Sequence, residues 1–275
     1  MVSQPHLLIA GATGSGKSVL LHNLIYHLFG APHGHKAPTL YLIDPKRVEL
    51  IDYADLPQTA KHATEPDDII RTLESVVRLM DNRYRLMVQR PNPTDRKFYG
   101  EPAVYVIIDE LADLMTTSKK QVTPLLARLT QLGRAANVHV IAATQRPTRD
   151  LINGQIAVNI DARVALRCPT AQDSRNIIGV SGAEDLPRYG ECIYRNPDGI
   201  MRYKVPRIPP EEIQSAVEWL MEREASRSAS KQIIDDTTGM ARPDARMGTT
   251  LWRGADLRDL DKPRWWQFIQ RRLHK

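Results

Sequence analysis

One short stretch near the start of the chain combines glycines with a lysine and a hydroxyl side chain at fixed spacing. It fits the pattern G-x-x-x-x-G-K-[ST], and its residues are Gly11, Ala12, Thr13, Gly14, Ser15, Gly16, Lys17 and Ser18. Glycines let the backbone curl so that successive N–H groups point inward, toward the oxygens of a phosphate. The pattern predicts a loop that binds the phosphates of a nucleotide. The alternative is a glycine-rich turn that binds nothing.

The residues on either side of this loop predict the setting that it needs. Residues 6–10 form an apolar run typical of a short buried strand, and residues 19–25 have the character of a following helix. The positive end of that helix, near Val19, would face the phosphates. We therefore expect Lys17 to bind the β- and γ-phosphates and the Ser18 hydroxyl to bind Mg²⁺.

Two adjacent acids, Asp109 and Glu110, follow an apolar run over residues 103–108 that predicts another buried strand. A carboxylate at this place is the expected second protein contact to Mg²⁺, which is the role we assign to Asp109. Glu110 would then activate water toward the γ-phosphate. The sequence has no Asn-Lys-x-Asp guanine motif, which favours ATP and argues against a small GTPase. The alternative is an acidic strand end exposed to solvent.

A polar pair, Thr144 and Gln145, ends a further predicted strand over residues 138–143. Such a pair could sense the γ-phosphate and relay its state to the next loop, and we expect Gln145 to be the sensor. An ordinary turn between a strand and a loop explains the spacing equally well.

Buried strands alternate with helices along the chain. Further strands are predicted over residues 38–43 and 162–166, a hairpin over 191–205, and helices over 67–89, 122–132 and 211–224. This alternation predicts an α/β fold with helices on both faces of a mostly parallel sheet. We expect residues 1–210 to form the nucleotide-binding domain. Residues 211–275 would then hold a helix, a linker over residues 225–250 and an amphipathic helix around Trp265 and Trp266.

The composition is that of a globular protein, because 42% of the 275 residues are hydrophobic and 25% are charged. A net charge of +6 is a weak indication of a polyanionic partner. Cys168 and Cys192 have neither metal-ligand nor disulfide-framework spacing, and the histidines lack acidic or thiol partners at ligand spacing. No apolar run is long enough to span a membrane and no signal peptide precedes the first strand. We therefore expect a cytoplasmic protein with reduced cysteines.

Five segments together resemble the motor domain of the FtsK/SpoIIIE/HerA-type DNA translocases. They are residues 6–18, 43–46, 82–87, 108–115, and 133–136 with 143–147. The match covers about residues 5–208 and is far more specific than the phosphate loop alone. The resemblance implies a RecA-like fold, a ring of six subunits around double-stranded DNA, and ATP hydrolysis coupled to translocation. The helix around Arg83 and Met87 belongs to the match but is expected to serve packing.

The resemblance also implies that each nucleotide lies between subunits, so that a neighbour supplies an arginine to the γ-phosphate. Arg163 matches the family position, and Arg175 and Arg202 are weaker candidates. The alternative for each is a surface arginine.

Contacts to DNA are expected from loops that face the pore of the ring. The candidates are Arg134, Arg146 and Arg149, which would contact phosphates without reading the base sequence. The alternative is a solvated basic loop.

Three other functions are compatible with the same motifs. A conjugative coupling or DNA-packaging ATPase shares the motor chemistry. A non-translocating module would use ATP only to assemble and to hold DNA or a membrane partner, but it would not need Glu110. A small-molecule kinase would need an acceptor site. Family members are often tethered to the inner face of the membrane, so a membrane-anchored or accessory partner is a further possibility, and residues 211–275 do not resemble their winged-helix domain.

Overall fold

The computed structural model describes residues 4–30, 37–89, 102–148, 151, 154 and 156–238. The chain divides into two compact units, Met1–Ala229 and Ser230–Lys275. Of the second unit, only the end of the last helix, up to Thr238, is described.

An eight-stranded sheet lies at the centre of the first unit. Its strands are β1 (Leu7–Ala10), β2 (Thr39–Ile43), β3 (Thr59–Ala63), β4 (Val104–Ile108), β5 (Val138–Thr144), β6 (Ala162–Leu166), β7 (Glu191–Asn196) and β8 (Gly199–Lys204). Their order is β3-β2-β4-β5-β1-β6-β7-β8. The first six strands in this order, from β3 to β6, run parallel. Strands β7 and β8 form an antiparallel hairpin beside β6.

Helices cover both faces of this sheet. They are α1 (Lys17–Gly30), α2 (Pro66–Val88), α3 (Leu111–Thr117), α4 (Lys119–Leu132), α5 (Ala171–Ile178) and α6 (Pro210–Thr238). Apolar residues of α2 and α4, such as Leu73 and Leu126, pack on one face together with Val106 of β4. On the other face, Ile25 of α1 packs in a second core with Leu42 of β2. This arrangement confirms the predicted α/β class.

Several elements differ from the sequence-based prediction. Strand β3 and helices α3 and α5 were not predicted, because β3 buries only Ala63 fully and the two helices are short. Helix α6 continues to Thr238, so the linker predicted from residue 225 is wrong over 225–238. The first compact unit also extends past residue 210, since Ile213 of α6 is buried in the second core. The predicted helix around Trp265 and Trp266 lies outside the described residues.

Arg83 fixes the edge of the sheet at which β4 and β5 begin. Its guanidinium is 8% exposed and donates to the carbonyl oxygens of Ala136 (2.8 Å), Asn137 (3.2 Å) and Pro102 (2.8 Å). A buried arginine is stable when its N–H groups have acceptors, and here they tie α2 to the loops before both strands. The helix around Arg83 therefore serves packing, as predicted.

The carboxyl ends of β1, β2, β4 and β5, on the opposite side of the sheet from Arg83, carry the residues with predicted chemistry. Gly11, Asp44, Asp109 and Gln145 each follow one of these strands directly. In open α/β sheets, ligands bind at the carboxyl ends of the strands. In the described part of the chain, no helix has the length and apolar character needed to cross a membrane.

Candidate nucleotide-binding and catalytic site

The glycine-rich loop between β1 and α1 has the backbone of a phosphate-binding loop. Gly14 (φ 74°) and Gly16 (φ 97°) adopt the left-handed conformation that side chains disfavour. A Cβ at Gly11 would lie 2.7 Å from the Cβ of Leu166, so this glycine keeps the loop close to β6. The first N–H groups of α1, which begins at Lys17, have no partners within their own helix. They are available to an anion.

Lys17 and Asp109 form a buried ion pair at the base of this loop. The Lys17 ammonium donates to the Asp109 carbonyl oxygen at 2.9 Å and to its Oδ1, and the side chains are 4% and 1% exposed. Burial raises the pKa of the Asp109 carboxyl, and the hydrogen bond from Lys17 opposes this rise. A phosphate group would offer the ammonium a second negative partner. The Oγ of Ser15 is buried with no hydrogen-bond partner, which is a second observation that suits a phosphate oxygen.

Ser18, the predicted ligand of Mg²⁺, contacts a carboxylate that sequence reasoning missed. Glu49 lies beside both Ser18 and His22, with its Oε2 3.6 Å from Nε2 of His22, and the interaction with His22 is the main cause of its lowered pKa. His22 in turn lies 2.7 Å from the hydroxyl of Tyr53 through Nδ1. A line of polar groups therefore runs from the buried Tyr53 to Ser18.

The oxygens of Ser18 and Asp109 are of the type that Mg²⁺ prefers. Among the described residues, no group of three or more His, Cys, Asp or Glu is placed to hold a metal ion. A magnesium ion held by Ser18 and Asp109 would thus take further ligands from nucleotide phosphates and water, which is usual for ATPase sites.

Glu110 is 2% exposed and several donors hold its carboxylate. Its Oε1 accepts from the Thr144 hydroxyl (2.7 Å), the Gln145 N–H (3.2 Å) and the Ala112 N–H (3.3 Å). Its Oε2 accepts from the Gln145 N–H at 3.1 Å. The Ala112 contact makes Glu110 the N-cap of α3, so the start of that helix fixes the position of the carboxylate.

Gln145 joins the phosphate-binding loop to Glu110. Its side-chain Oε1 accepts from the hydroxyl of Thr13 at 2.9 Å, while its backbone N–H bonds to Glu110. The structure therefore brings the predicted sensor, the predicted general base and the loop into direct contact. The other residue of the pair, Thr144, is fully buried; its hydroxyl donates to Glu110, and its carbonyl oxygen accepts from the Gly11 N–H of the loop at 3.3 Å.

Lys46, in the segment 43–46, is, after Glu49, the second residue of the site that was not predicted from the sequence. Its Nζ lies 3.6 Å from Oε2 of Glu110 and 3.6 Å from Oδ2 of Asp113, and its side chain is 42% exposed. The signal in the sequence was a lysine two residues after the acid Asp44 at a strand end. Lys46 places a positive charge beside the predicted general base.

Arg163 is the residue predicted first as the catalytic arginine. Its guanidinium donates hydrogen bonds to three carbonyl oxygens of its own chain. Nε donates to Ile160 O (3.2 Å), Nη1 to Ile177 O (3.3 Å) and Nη2 to Ala157 O (2.9 Å). Burial, followed by the charge of Arg195, lowers its pKa. Reaching a neighbouring subunit would require all three bonds to break.

The two weaker candidates lie at the surface. Arg175 is exposed on the last turn of α5. Arg202 is 58% exposed and bonds to Glu191 Oε2 through Nε (2.7 Å) and Nη2 (2.6 Å). Arg163 and Arg202 would have to break the bonds described above to contact a neighbouring subunit, whereas Arg175 is exposed and would break fewer.

The structure separates the arginines predicted to contact DNA. Arg134 precedes β5 and Arg146 follows it, so the two exposed side chains lie at opposite edges of the sheet, roughly 20 Å apart along a strand of this length. Arg146 is beside Gln145 and Glu110, whereas Arg134 is beside the loops that Arg83 holds. Arg149 lies outside the described residues.

Comparison with known proteins agrees with this geometry. A model of the FtsK/SpoIIIE family matches residues 1–94 and 92–149. The DNA translocase FtsK of Campylobacter jejuni (strain 81-176) is 37% identical over 233 residues, covering 80% of this chain and 24% of the relative. The DNA translocase FtsK of Staphylococcus aureus (strain Mu50) is 39% identical over 241 residues, covering 80% of this chain and 30% of the relative. The chain thus spans less than a third of the length of these relatives.

Solved structures with a similar fold are ATPases and coupling proteins. The pCW3 conjugation coupling protein TcpA, solved with ATPgS, matches with a TM-score of 0.68 over 78% of this chain and 65% of TcpA, at 22% identity. The cytoplasmic domain of the Thermomonospora curvata type VII secretion ATPase EccC matches with a TM-score of 0.65 over 78% of this chain and 28% of EccC, also at 22% identity. At this identity, the likeness concerns the fold.

Proposed function

Since the chain belongs to the FtsK/SpoIIIE family, we propose that it is an ATPase motor that moves along double-stranded DNA. The proposal places it in the cytoplasm, as part of a ring of six copies, with a membrane-anchored or accessory protein as a possible partner. Relatives named DNA translocase FtsK support the choice of duplex DNA as the polymer.

One observation carries the proposal: the phosphate-binding loop, the predicted general base Glu110 and a basic loop are joined by direct hydrogen bonds. Thr13 contacts Gln145, Gln145 contacts Glu110, and the exposed Arg146 comes next in the chain. An enzyme that phosphorylates a small molecule needs an acceptor pocket beside the γ-phosphate. Here a basic surface loop lies one residue from the sensor, which favours coupling to a polyanion.

The roles of the residues follow from their positions. Lys17 and the N–H groups at the start of α1 would bind the phosphates, and Ser18 and Asp109 would hold Mg²⁺. When bound, Mg²⁺ would neutralise negative charge on the β- and γ-phosphates.

Glu110 would accept a proton from the attacking water as the water oxygen bonds to the γ-phosphorus. The bond from the γ-phosphorus to the β–γ bridging oxygen breaks, so that ADP and phosphate leave. The amide of Gln145 would sense whether the γ-phosphate is present, because the side chain already contacts the loop through Thr13.

Duplex DNA is assigned to the surface that carries Arg146; the other candidate in this segment, Arg149, lies outside the described residues. Arg134 lies at the other edge of the sheet and would need a second surface for the same duplex. A neighbouring subunit would supply an arginine to the γ-phosphate, and Arg175 and Arg202 are better placed for this than Arg163.

The test is steady-state ATP hydrolysis by the full chain, with and without long linear duplex DNA. The proposal expects strong stimulation by duplex, which Glu110→Gln abolishes while binding of a fluorescent ATP analogue persists. Asp113→Asn is a matched control, because it removes an acid near Lys46 that touches neither Glu110 nor the loop in any described contact. Hydrolysis that is indifferent to duplex DNA would reject the motor function.

A further inference from the structure

The carboxylate of Glu110 has no free lone pair on Oε1. A carboxylate oxygen offers about two acceptor positions, and Oε1 already accepts from Thr144, Gln145 and Ala112. Oε2 accepts from the same Gln145 N–H, whose one proton the two oxygens share, and faces the Lys46 ammonium at 3.6 Å. A general base must accept a hydrogen bond from the water that it deprotonates. Oε1 can do so only after it gives up one of its present donors, whereas Oε2, beside Lys46, keeps an acceptor position open.

One of these donors is linked to the basic loop. The hydroxyl of Thr144 carries a single proton, which lies toward Glu110 at 2.7 Å rather than toward the Arg146 carbonyl at 3.5 Å. The same hydroxyl oxygen accepts from the Arg146 N–H at 3.1 Å. Two consecutive hydrogen bonds therefore connect the backbone of Arg146 to the carboxylate of Glu110, and each polarises the other.

The burial of Thr144 and Glu110 protects this connection from water. Thr144 is fully buried and Glu110 is 2% exposed, so water does not compete for their bond. Arg146 is exposed, and its neighbour Pro147 restricts its backbone. A ligand that shifts the backbone of Arg146 would change its hydrogen bond to Thr144, and the Thr144 hydroxyl could then turn from Glu110 toward the Arg146 carbonyl oxygen, its other acceptor.

We propose that Thr144 is a positioning residue that restrains Glu110 until a polyanion contacts the Arg146 loop. This inference rests on the proposed ATPase function and adds its regulation: contact with DNA phosphates at Arg146 would free Oε1 of Glu110 for the attacking water. The restraint lies within one chain and operates whether or not a ring has formed.

The experiment compares Thr144→Val with Thr144→Ser in the full chain. Valine has the shape of threonine without the hydroxyl, so it removes both hydrogen bonds and leaves the buried packing. We expect kcat without DNA to rise by roughly tenfold, the effect of losing one hydrogen bond to a charged group. KM for ATP should stay unchanged, and the stimulation by linear duplex DNA should fall by a similar factor. Thr144→Ser should retain the wild-type stimulation.

Thr130→Val is the matched control, because Thr130 is also a buried threonine whose hydroxyl bonds only within its helix, to Ala127 O. It should change neither rate. A Thr144→Val enzyme whose kcat without DNA is equal to or below that of the wild type would overturn the inference. If duplex DNA does not stimulate the wild type, the motor function fails. The effect of Thr144→Val on hydrolysis without DNA still decides whether Glu110 is restrained.

Discussion

The imidazole Nε2 of His22 lies 3.6 Å from Oε2 of Glu49, and the same carboxylate lies beside the hydroxyl of Ser18, which contributes to its lowered pKa. Tyr53, which is fully buried, contacts the other nitrogen of His22 at 2.7 Å. Partners behind a metal ligand commonly set its orientation and its affinity for the metal. Glu49 is placed to act in this way on Ser18, the predicted ligand of Mg²⁺.

Glu49→Gln should weaken the Mg²⁺-dependent part of nucleotide binding by about 10- to 100-fold, because the Ser18 hydroxyl loses a charged partner. The measurement is the affinity for a fluorescent, non-hydrolysable ATP analogue over a range of Mg²⁺ concentrations. Affinity without Mg²⁺ should change little. Glu65→Gln, which alters an exposed glutamate paired with Arg47, is the control. Equal effects of the two substitutions would reject the assignment of Glu49.

The phosphate loop, Asp109 and Glu110 could be predicted from the sequence because each depends on local order along the chain. An apolar strand followed by a glycine-rich loop or by an acid places those groups at the carboxyl edge of a parallel sheet, whatever the other loops do. The separation of Arg134 from Arg146 also follows from local order, since one precedes and the other follows the same strand.

Glu49 and Lys46 could not be predicted in the same way. Both lie in the loop after β2, and their contacts depend on how that loop returns to the strand ends. Arg47 has φ 58°, an uncommon conformation for a residue with a side chain, and it reverses the chain between the two residues. The partners of Glu49 and Lys46 lie far away in sequence, at Ser18 and Glu110, and only the folded sheet brings them together.

Arg163 is predicted to act in stability rather than as the arginine offered to a neighbouring subunit. Its three bonds hold the turn at Ala157, the chain at Ile160 and the end of α5 against β6. Arg163→Met removes three hydrogen bonds to carbonyl oxygens, of which that of Ala157 keeps the Ile160 N–H as a donor, and should lower the free energy of unfolding by about 2–4 kcal/mol. Arg175→Ala removes an exposed side chain and should change it by less than about 0.5 kcal/mol.

Urea unfolding and ATP hydrolysis, measured on both variants, test this distinction. If Arg175 is the arginine that a neighbour receives, its loss abolishes hydrolysis at unchanged stability. An Arg163→Met protein with the stability of the wild type and no hydrolysis would instead restore Arg163 to the catalytic role.

Stability is predicted to fall in mild acid because of His6, which begins the strand-loop-helix unit at β1. The side chain is 2% exposed, and its Nδ1 accepts from the Val140 N–H at 3.1 Å. Burial, followed by the charge of His139, lowers its pKa from 6.5 to about 4. Above pH 6.5 neither the folded nor the unfolded chain protonates this residue. Between pH 6.5 and about pH 4 only the unfolded chain does so, and stability is lost.

The loss attributable to His6 should reach about 3 kcal/mol near pH 4, since each unit of pKa difference corresponds to about 1.4 kcal/mol. His6→Gln keeps an acceptor for the Val140 N–H but does not titrate. Urea unfolding of both proteins across this pH range should show the wild type losing stability more steeply than the variant. Carboxylates contribute equally to both proteins, so the difference between them isolates His6 together with its charge interaction with His139. Parallel pH profiles would mean that His6 accepts its proton in the folded state without cost.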